Sequence, residues 1–215
     1  DGAEDRLGSV TDPDAVASAL EGVDGVVHLA AKVSLAGDPA QFRAVNVEGT
    51  RTLLDAAAAA GVSRIVHVSS PSVAHAGHAL AGVGAEPADP DAAHGEYART
   101  KAEAELLALS RAGSGTALVA IRPHLVWGPG DTQLIARIVD RARRGRLPLL
   151  NGGTALIDST YVDNAASGIA AALARVDDVS GRAYVLTNGE PRPVGDLLAG
   201  ICRASGVTPP RFSVP

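Results

Sequence analysis

The chain has 215 residues, 46% of them apolar, with 24 Gly and 13 Pro; that length fits one large domain or two small ones, and that composition excludes a disordered or low-complexity chain. Acids outnumber bases 24 to 19, for a formal net charge of −5, and no run of 18 apolar residues occurs, which excludes the basic footprint of nucleic-acid binding and a membrane-spanning helix. One cysteine, Cys202, excludes an internal disulfide, and with a polar start lacking any signal-peptide pattern it points to a cytoplasmic protein.

In chain order, the first legible element, Arg6–Val10, reads as a third strand. Thr11-Asp12-Pro13 then sets a capping oxygen before a proline, starting a helix from Asp14 to about Gly22. An apolar strand follows at Val26–Ala30. Asp38-Pro39 repeats the start signal for a helix running through Phe42, Val45, Leu54 and Ala57, and Gly61 supplies its left-handed stop. Ile65–Ser69 and Ala117–Ile121 read as strands, separated by a Pro/Gly/Ala loop from Pro71 to about His94 and a helix from about Gly95 to Ala112. Helices are expected near Thr132–Arg144, Asp163–Ala174 and Val194–Ala204, with a strand at Ala183–Thr187. Continuous apolar strands linked by helices mean parallel pairing with both faces covered. The expected architecture is a doubly wound α/β sheet.

No strand–glycine turn–helix of the dinucleotide-binding type is present: Gly152-Gly153 sits in a late loop, and Gly22 and Gly25 flank a strand. Together with the absence of any methionine, this leads to the expectation of a preceding βαβ unit upstream of Asp1.

The residues most suited to chemistry are Ser70, Tyr97 and Lys101. In Tyr97-Ala98-Arg99-Thr100-Lys101, four-residue spacing on a helix puts phenol and ammonium on one face. A neighbouring cation is expected to pull the Tyr97 pKa down from about 10, as suits a group that exchanges a proton near neutrality. Ser70, at the carboxyl end of a strand, can hydrogen-bond the same substrate oxygen, and that end of an open α/β sheet is where ligands bind.

Over almost its whole length the chain resembles the extended short-chain dehydrogenases/reductases of the epimerase/dehydratase superfamily, most closely the 3β-hydroxysteroid (sterol) dehydrogenase branch. The resembling segments occur in family order: Gly8-Ser9-Val10-Thr11-Asp12, Val26–Ala31, Asn46–Thr50, Val68-Ser69-Ser70, Tyr97 with Lys101, Arg122–Leu134, and Tyr161–Asn164. The resemblance implies a Rossmann-type sheet lacking its first βαβ unit, with residues 1–124 and 161–188 as the cofactor-binding core. Residues 125–160 and 189–215 would form a small substrate-binding part. It implies NAD or NADP as cofactor, a small-molecule substrate, and room for a homodimer. Tyr97 would be the acid/base, Ser70 would orient the reacting oxygen, and Lys101 would bind the nicotinamide ribose. Ser9, Val10, Leu29, Ala30, Ala31, Asn46, Val68, Pro123 and Val126 would contact the cofactor, and two central strands would be flanked by Val26–Ala30 and Ile65–Val68.

Three departures stand out. The glycine-rich loop is missing, Ser9 replaces a common Asp, and the chain stops at Pro215, soon after its last helix. The implied reaction is alcohol/ketone interconversion on a bulky apolar or 3-oxo substrate. A nucleotide-sugar epimerase is the runner-up, and a non-catalytic dinucleotide sensor would be expected to have lost Tyr97 or Lys101. A sugar 4,6-dehydratase is disfavoured because Pro71-Ser72 stands where those enzymes carry Asp-Glu. His75, His78 and His94 read as loop histidines rather than metal ligands. His67 reads as a hydrogen-bonded core residue, His124 as a candidate substrate contact, and Arg141, Arg143, Arg144 and Arg146 as a solvated helix end.

Overall fold

The computed structural model describes residues 2–34, 36–75, 77, 82–113 and 115–215. Asp12 accepts from Asp14 N and Ala15 N to start α1 (Pro13–Ala19), with proline at the first helical position. After β1 (Val26–His28), Asp38 caps α2 (Pro39–Phe42) in the same way. The helix widens into a π turn at Arg43–Glu48 and resumes as α3 (Gly49–Ala59). Gly61, at φ +72°, ends it, and Val62 N returns to Ala57 O at 2.9 Å. Next come β2 (Arg64–Val68), α4 (Glu96–Leu109), β3 (Ala117–Pro123), β4 (Val126–Trp127), α5 (Ile135–Arg143), β5 (Leu149–Leu150), β6 (Leu156–Ile157) and β7 (Thr160–Tyr161). The chain finishes with α6 (Val162–Ala174), α7 (Val176–Val179), β8 (Ala183–Leu186), β9 (Arg192–Pro193), α8 (Val194–Ala204) and β10 (Ser213–Val214).

Two compact units result: Asp1–Pro123 with Ser167–Leu186, and His124–Ala166 with Thr187–Pro215. The first is built on a parallel sheet of order β1-β2-β3-β8, registered Val26 to Ile65, Ile65 to Leu118 and Ala120 to Ala183. Alternate residues of β2 serve opposite faces. Ile65 joins Val16, Leu20, Leu54, Ala57, Ala108 and Leu118 beneath α1, α3 and α4. Val66 joins Val119, Ile121 and Val176 on the other face, with Ile169 and Leu173 of α6 packed against them. Each fully buried aliphatic side chain contributes about 1.5–3 kcal/mol, and burial on both faces explains why these strands read as continuous apolar runs. The sheet is therefore doubly wound.

Two sequence expectations are corrected. Residues 6–10 form no strand. Ser9 O accepts from Asp12 N and Ser9 Oγ lies 2.8 Å from Thr11 Oγ1, so the segment turns into α1, with Leu7 98% exposed. Val10 instead packs where Gly49 leaves room, since a Cβ on Gly49 would meet Val10 Cγ1 at 2.7 Å. No strand stands between β1 and β2, which pair directly from Val26–Ile65 to His28–His67.

The second unit carries short ladders, β4 with β7 and β5 with β10 in parallel and β6 with β9 antiparallel. Its small core gathers Ile138 and Leu147 around Cys202, with Leu198 and Ile201 against them. Among the described residues no helix is long and apolar enough to cross a membrane.

Candidate active site

The site grows from the carboxyl end of β2. Ser70 follows that strand by two residues, and its Oγ accepts from Ser72 N at 3.3 Å and lies 2.9 Å from Ser72 Oγ. This fixes the hydroxyl at the head of the short helical turn Pro71–Ala74. The first turn of α4 brings in Tyr97, half-buried, whose hydroxyl is hydrogen-bonded with the Ser70 side chain. One turn on, Lys101 is 3% exposed, and its Nζ donates to Val68 O at 2.7 Å. The structure thus brings Ser70, Tyr97, Lys101 and the Val68 carbonyl together.

Asn46 ties a further element to this cluster from the π turn, a type of irregularity that recurs at functional sites. Its Oδ1 accepts from Lys32 N at 2.7 Å, and its Nδ2 donates to Thr100 Oγ1 at 3.0 Å. The loop after β1 is thereby fastened to the helix of Tyr97 and Lys101. Leu29 and Ala30 are exposed at the carboxyl end of β1, with half-buried Ala31 after them. Ser9, Val10, Leu29 and Ala30 line a groove of about 350 Å³ along β1. Pro123 ends β3, and Val126 lies in the second compact unit, 40% exposed.

The electrostatics depart from the simple Tyr/Lys expectation. Burial raises the Tyr97 pKa above its ordinary value, and the Ser70 hydrogen bond only partly offsets this. Spacing put Lys101 on the right face, but its ammonium is turned to the Val68 carbonyl. Burial lowers Lys101 to about 8, with the Glu105 carboxylate pulling it back up.

Three buried groups escaped the sequence reading or were misread. Glu105 and Arg122 form a two-pronged ion pair, 1% and 2% exposed, and Arg122 Nη1 also donates to Glu86 O at 2.7 Å. Glu105 lies four residues beyond Lys101 on the same helix face, and that spacing was the available signal. His28 Nε2 lies 2.9 Å from Thr50 Oγ1; because the Thr50 hydroxyl donates to Asn46 O, its oxygen accepts from the imidazole. His67 is no hydrogen-bonded core histidine: neither ring nitrogen has a partner among the described residues.

Burial first, and the Lys101 charge second, lower His28 to about 4 and hold His67 well below 6.5. Both imidazoles are therefore neutral in the fold but take up protons near pH 6.5 when unfolded. Their contribution to stability is complete above about pH 6.5 and is lost as pH falls toward 4. His28 alone accounts for about 3 kcal/mol of that loss. Denaturant unfolding of wild type and His28→Gln at pH 7 and pH 4.5 checks this: the variant should lose less stability on acidification. An equal loss in both proteins would contradict it.

His124, in the second unit, is half-buried; burial lowers its pKa and Asp158 opposes the shift. Arg141, Arg143, Arg144 and Arg146 are exposed, with Arg144 bonded to Asp140 at 3.0 Å. Among the described residues no three His, Cys, Asp or Glu side chains gather as a metal would require, and His78 lies outside those residues.

Residues 5–215 match the 3-beta hydroxysteroid dehydrogenase/isomerase family. A 2-alkyl-3-oxoalkanoate reductase of Stenotrophomonas maltophilia is 41% identical, the match covering 93% of this chain and 62% of that protein. A 3 beta-hydroxysteroid dehydrogenase/Delta 5-->4-isomerase of Mycobacterium tuberculosis is 34% identical over 96% of this chain and 59% of its own. The chain thus spans about three fifths of the length of these curated relatives. Among solved structures, a dTDP-glucose 4,6-dehydratase of Streptomyces venezuelae with NAD bound superposes with a TM-score of 0.78. It is 28% identical, over 96% of this chain and 66% of that one. The chain belongs to the 3-beta hydroxysteroid dehydrogenase/isomerase family.

Proposed function

We propose that the protein is a nicotinamide-dependent oxidoreductase that interconverts a secondary alcohol and a ketone on a bulky apolar substrate, either sterol-like or a 3-oxo compound. The observation that carries this reading is the Ser70–Tyr97–Lys101 cluster at the carboxyl end of a parallel sheet. The reductase and dehydrogenase relatives support it.

The donor set fits the nicotinamide–ribose end of NAD or NADP. Lys101 carries three N–H donors, of which one meets Val68 O. Two ribose hydroxyls suit the others. A pyrophosphate clamp is not matched by any strand–glycine turn–helix in these residues. When bound, the cofactor supplies or accepts the hydride. The protein's part is proton handling and position. The raised pKa of Tyr97 keeps a proton on the phenol at neutral pH, the form that can protonate an alkoxide as a ketone is reduced. Ser70 holds the substrate oxygen against that phenol, and the buried Lys101 charge stabilises the phenolate left behind. Residues 1–124 and 161–188 would hold the cofactor, and residues 125–160 and 189–215 the substrate.

Replacing Lys101 with Ala tests this assignment, because one ammonium is given two partners. Cofactor Kd should rise about tenfold or more, as for loss of a charge-assisted hydrogen bond, and kcat should fall by about 10²-fold. Titration calorimetry and steady-state kinetics on the full-length protein read both. Unchanged Kd and kcat would remove Lys101 from the site.

A further inference from the structure

The layer between the sheet and α3/α4 changes character along β2. At Ile65 it is apolar, joined by Leu118 and Ala108. Two residues later, on the same face, it holds His67, and the register sets His28 of β1 beside it. The two rings lie 5.5 Å apart at 47°, and both residues are buried, at 1% and 5% exposure. A buried polar side chain with neither nitrogen hydrogen-bonded costs stability relative to a satisfied one. Such an exception asks for a function.

Lys101 is the charge that acts on both rings. Its Nζ meets the carbonyl of Val68, the residue after His67. The other groups about Lys101 are Tyr97 and Glu105 on its own helix, with Glu105 held by Arg122 of β3.

We propose that His67, backed by His28 across the β1–β2 pair, is a positioning residue for Lys101, the two imidazoles forming a polar wall against which the ammonium is held beside Tyr97. This rests on the role given to Lys101 above. An imidazole lone pair facing an ammonium stabilises its charged form, which an aliphatic wall cannot do. His28 donates through Nε2 to Thr50, and Thr50 donates to the backbone of Asn46, so the wall is anchored in the π turn that also fastens the β1 loop. Because burial already drives Lys101 toward neutrality, losing this support should discharge it within the working pH range.

The 215 residues hold two lysines, Lys32 and Lys101, so isotopic labelling of lysine in the full-length protein gives signals that a Lys32→Arg variant helps assign. The Lys101 titration is expected to move down by about one pH unit in His67→Leu. It should return to near its wild-type midpoint in His67→Gln, whose amide keeps an acceptor. A wall that only fills space would be served better by Leu than by Gln. Should His67→Leu fail to fold, the unsubstituted protein still decides the matter: the His67 ring nitrogen shifts should move with the Lys101 midpoint. Flat His67 shifts through that range, or a Lys101 midpoint unchanged in His67→Leu, overturn the proposal. Because the readout needs neither cofactor nor substrate, its failure is distinct from a failure of the oxidoreductase reading, which is judged on Kd and kcat.

Discussion

Tyr97→Phe is expected to lower kcat by about 10²–10⁴-fold, the range of a lost general acid/base, while leaving cofactor affinity largely intact. The substitution removes one hydroxyl and keeps the ring, so the half-buried packing at the first turn of α4 survives. What disappears is the hydrogen bond with Ser70 and the phenolic proton. Because burial raises the phenol pKa, the wild-type group enters the cycle protonated, and Phe has nothing to give. Steady-state kinetics with calorimetric cofactor titration checks both halves. A variant that keeps more than half of wild-type kcat would contradict the role of Tyr97.

Glu105→Gln should destabilise the fold by about 3–5 kcal/mol. Glu105 and Arg122 are almost fully buried, and the guanidinium presents two donors to the carboxylate. Neutralising the acid leaves a buried cation whose remaining partner is the Glu86 carbonyl. It also withdraws the negative charge that pulls the Lys101 pKa upward, so the ammonium should lose its proton at a lower pH than in wild type. The double variant Glu105→Leu/Arg122→Met should regain much of the stability, since replacing both charges removes the desolvation cost with the attraction. Denaturant unfolding measures this. A loss of under about 1 kcal/mol in Glu105→Gln, the scale of an exposed pair, would contradict the buried-pair account.

Much of the fold was legible because its signals are local. Asp12-Pro13 and Asp38-Pro39 carry their own caps, Gly61 carries its own stop, and strands buried on both faces announce themselves as apolar runs. Tyr97 and Lys101 were legible for the same reason, since helical geometry alone aligns them. What failed was non-local. Arg6–Val10 reads as an extended segment, yet nothing in it says whether a neighbouring strand will accept its N–H and C=O groups. That β1 lies directly against β2 depends on sheet order, which no local pattern encodes. The Tyr97 pKa depended on how deeply the phenol is buried and on Lys101 turning toward Val68. The His28–His67 contact exists only once two strands 39 positions apart fall into register, and the Glu105–Arg122 pair required a helix to fold back over the following strand.

The central claim, hydride exchange between a nicotinamide and a secondary alcohol/ketone pair, is tested most directly with cofactor carrying deuterium at C4. The full-length protein would be given a bulky 3-oxo substrate with 4,4-dideuterated NADH or NADPH, and product and cofactor analysed together. The expected result is one deuterium on the new carbinol carbon per molecule of cofactor oxidised. Turnover with the cofactor's redox state unchanged and no label in the product would contradict it, and would instead describe an enzyme that returns the hydride to its own substrate, as an epimerase does.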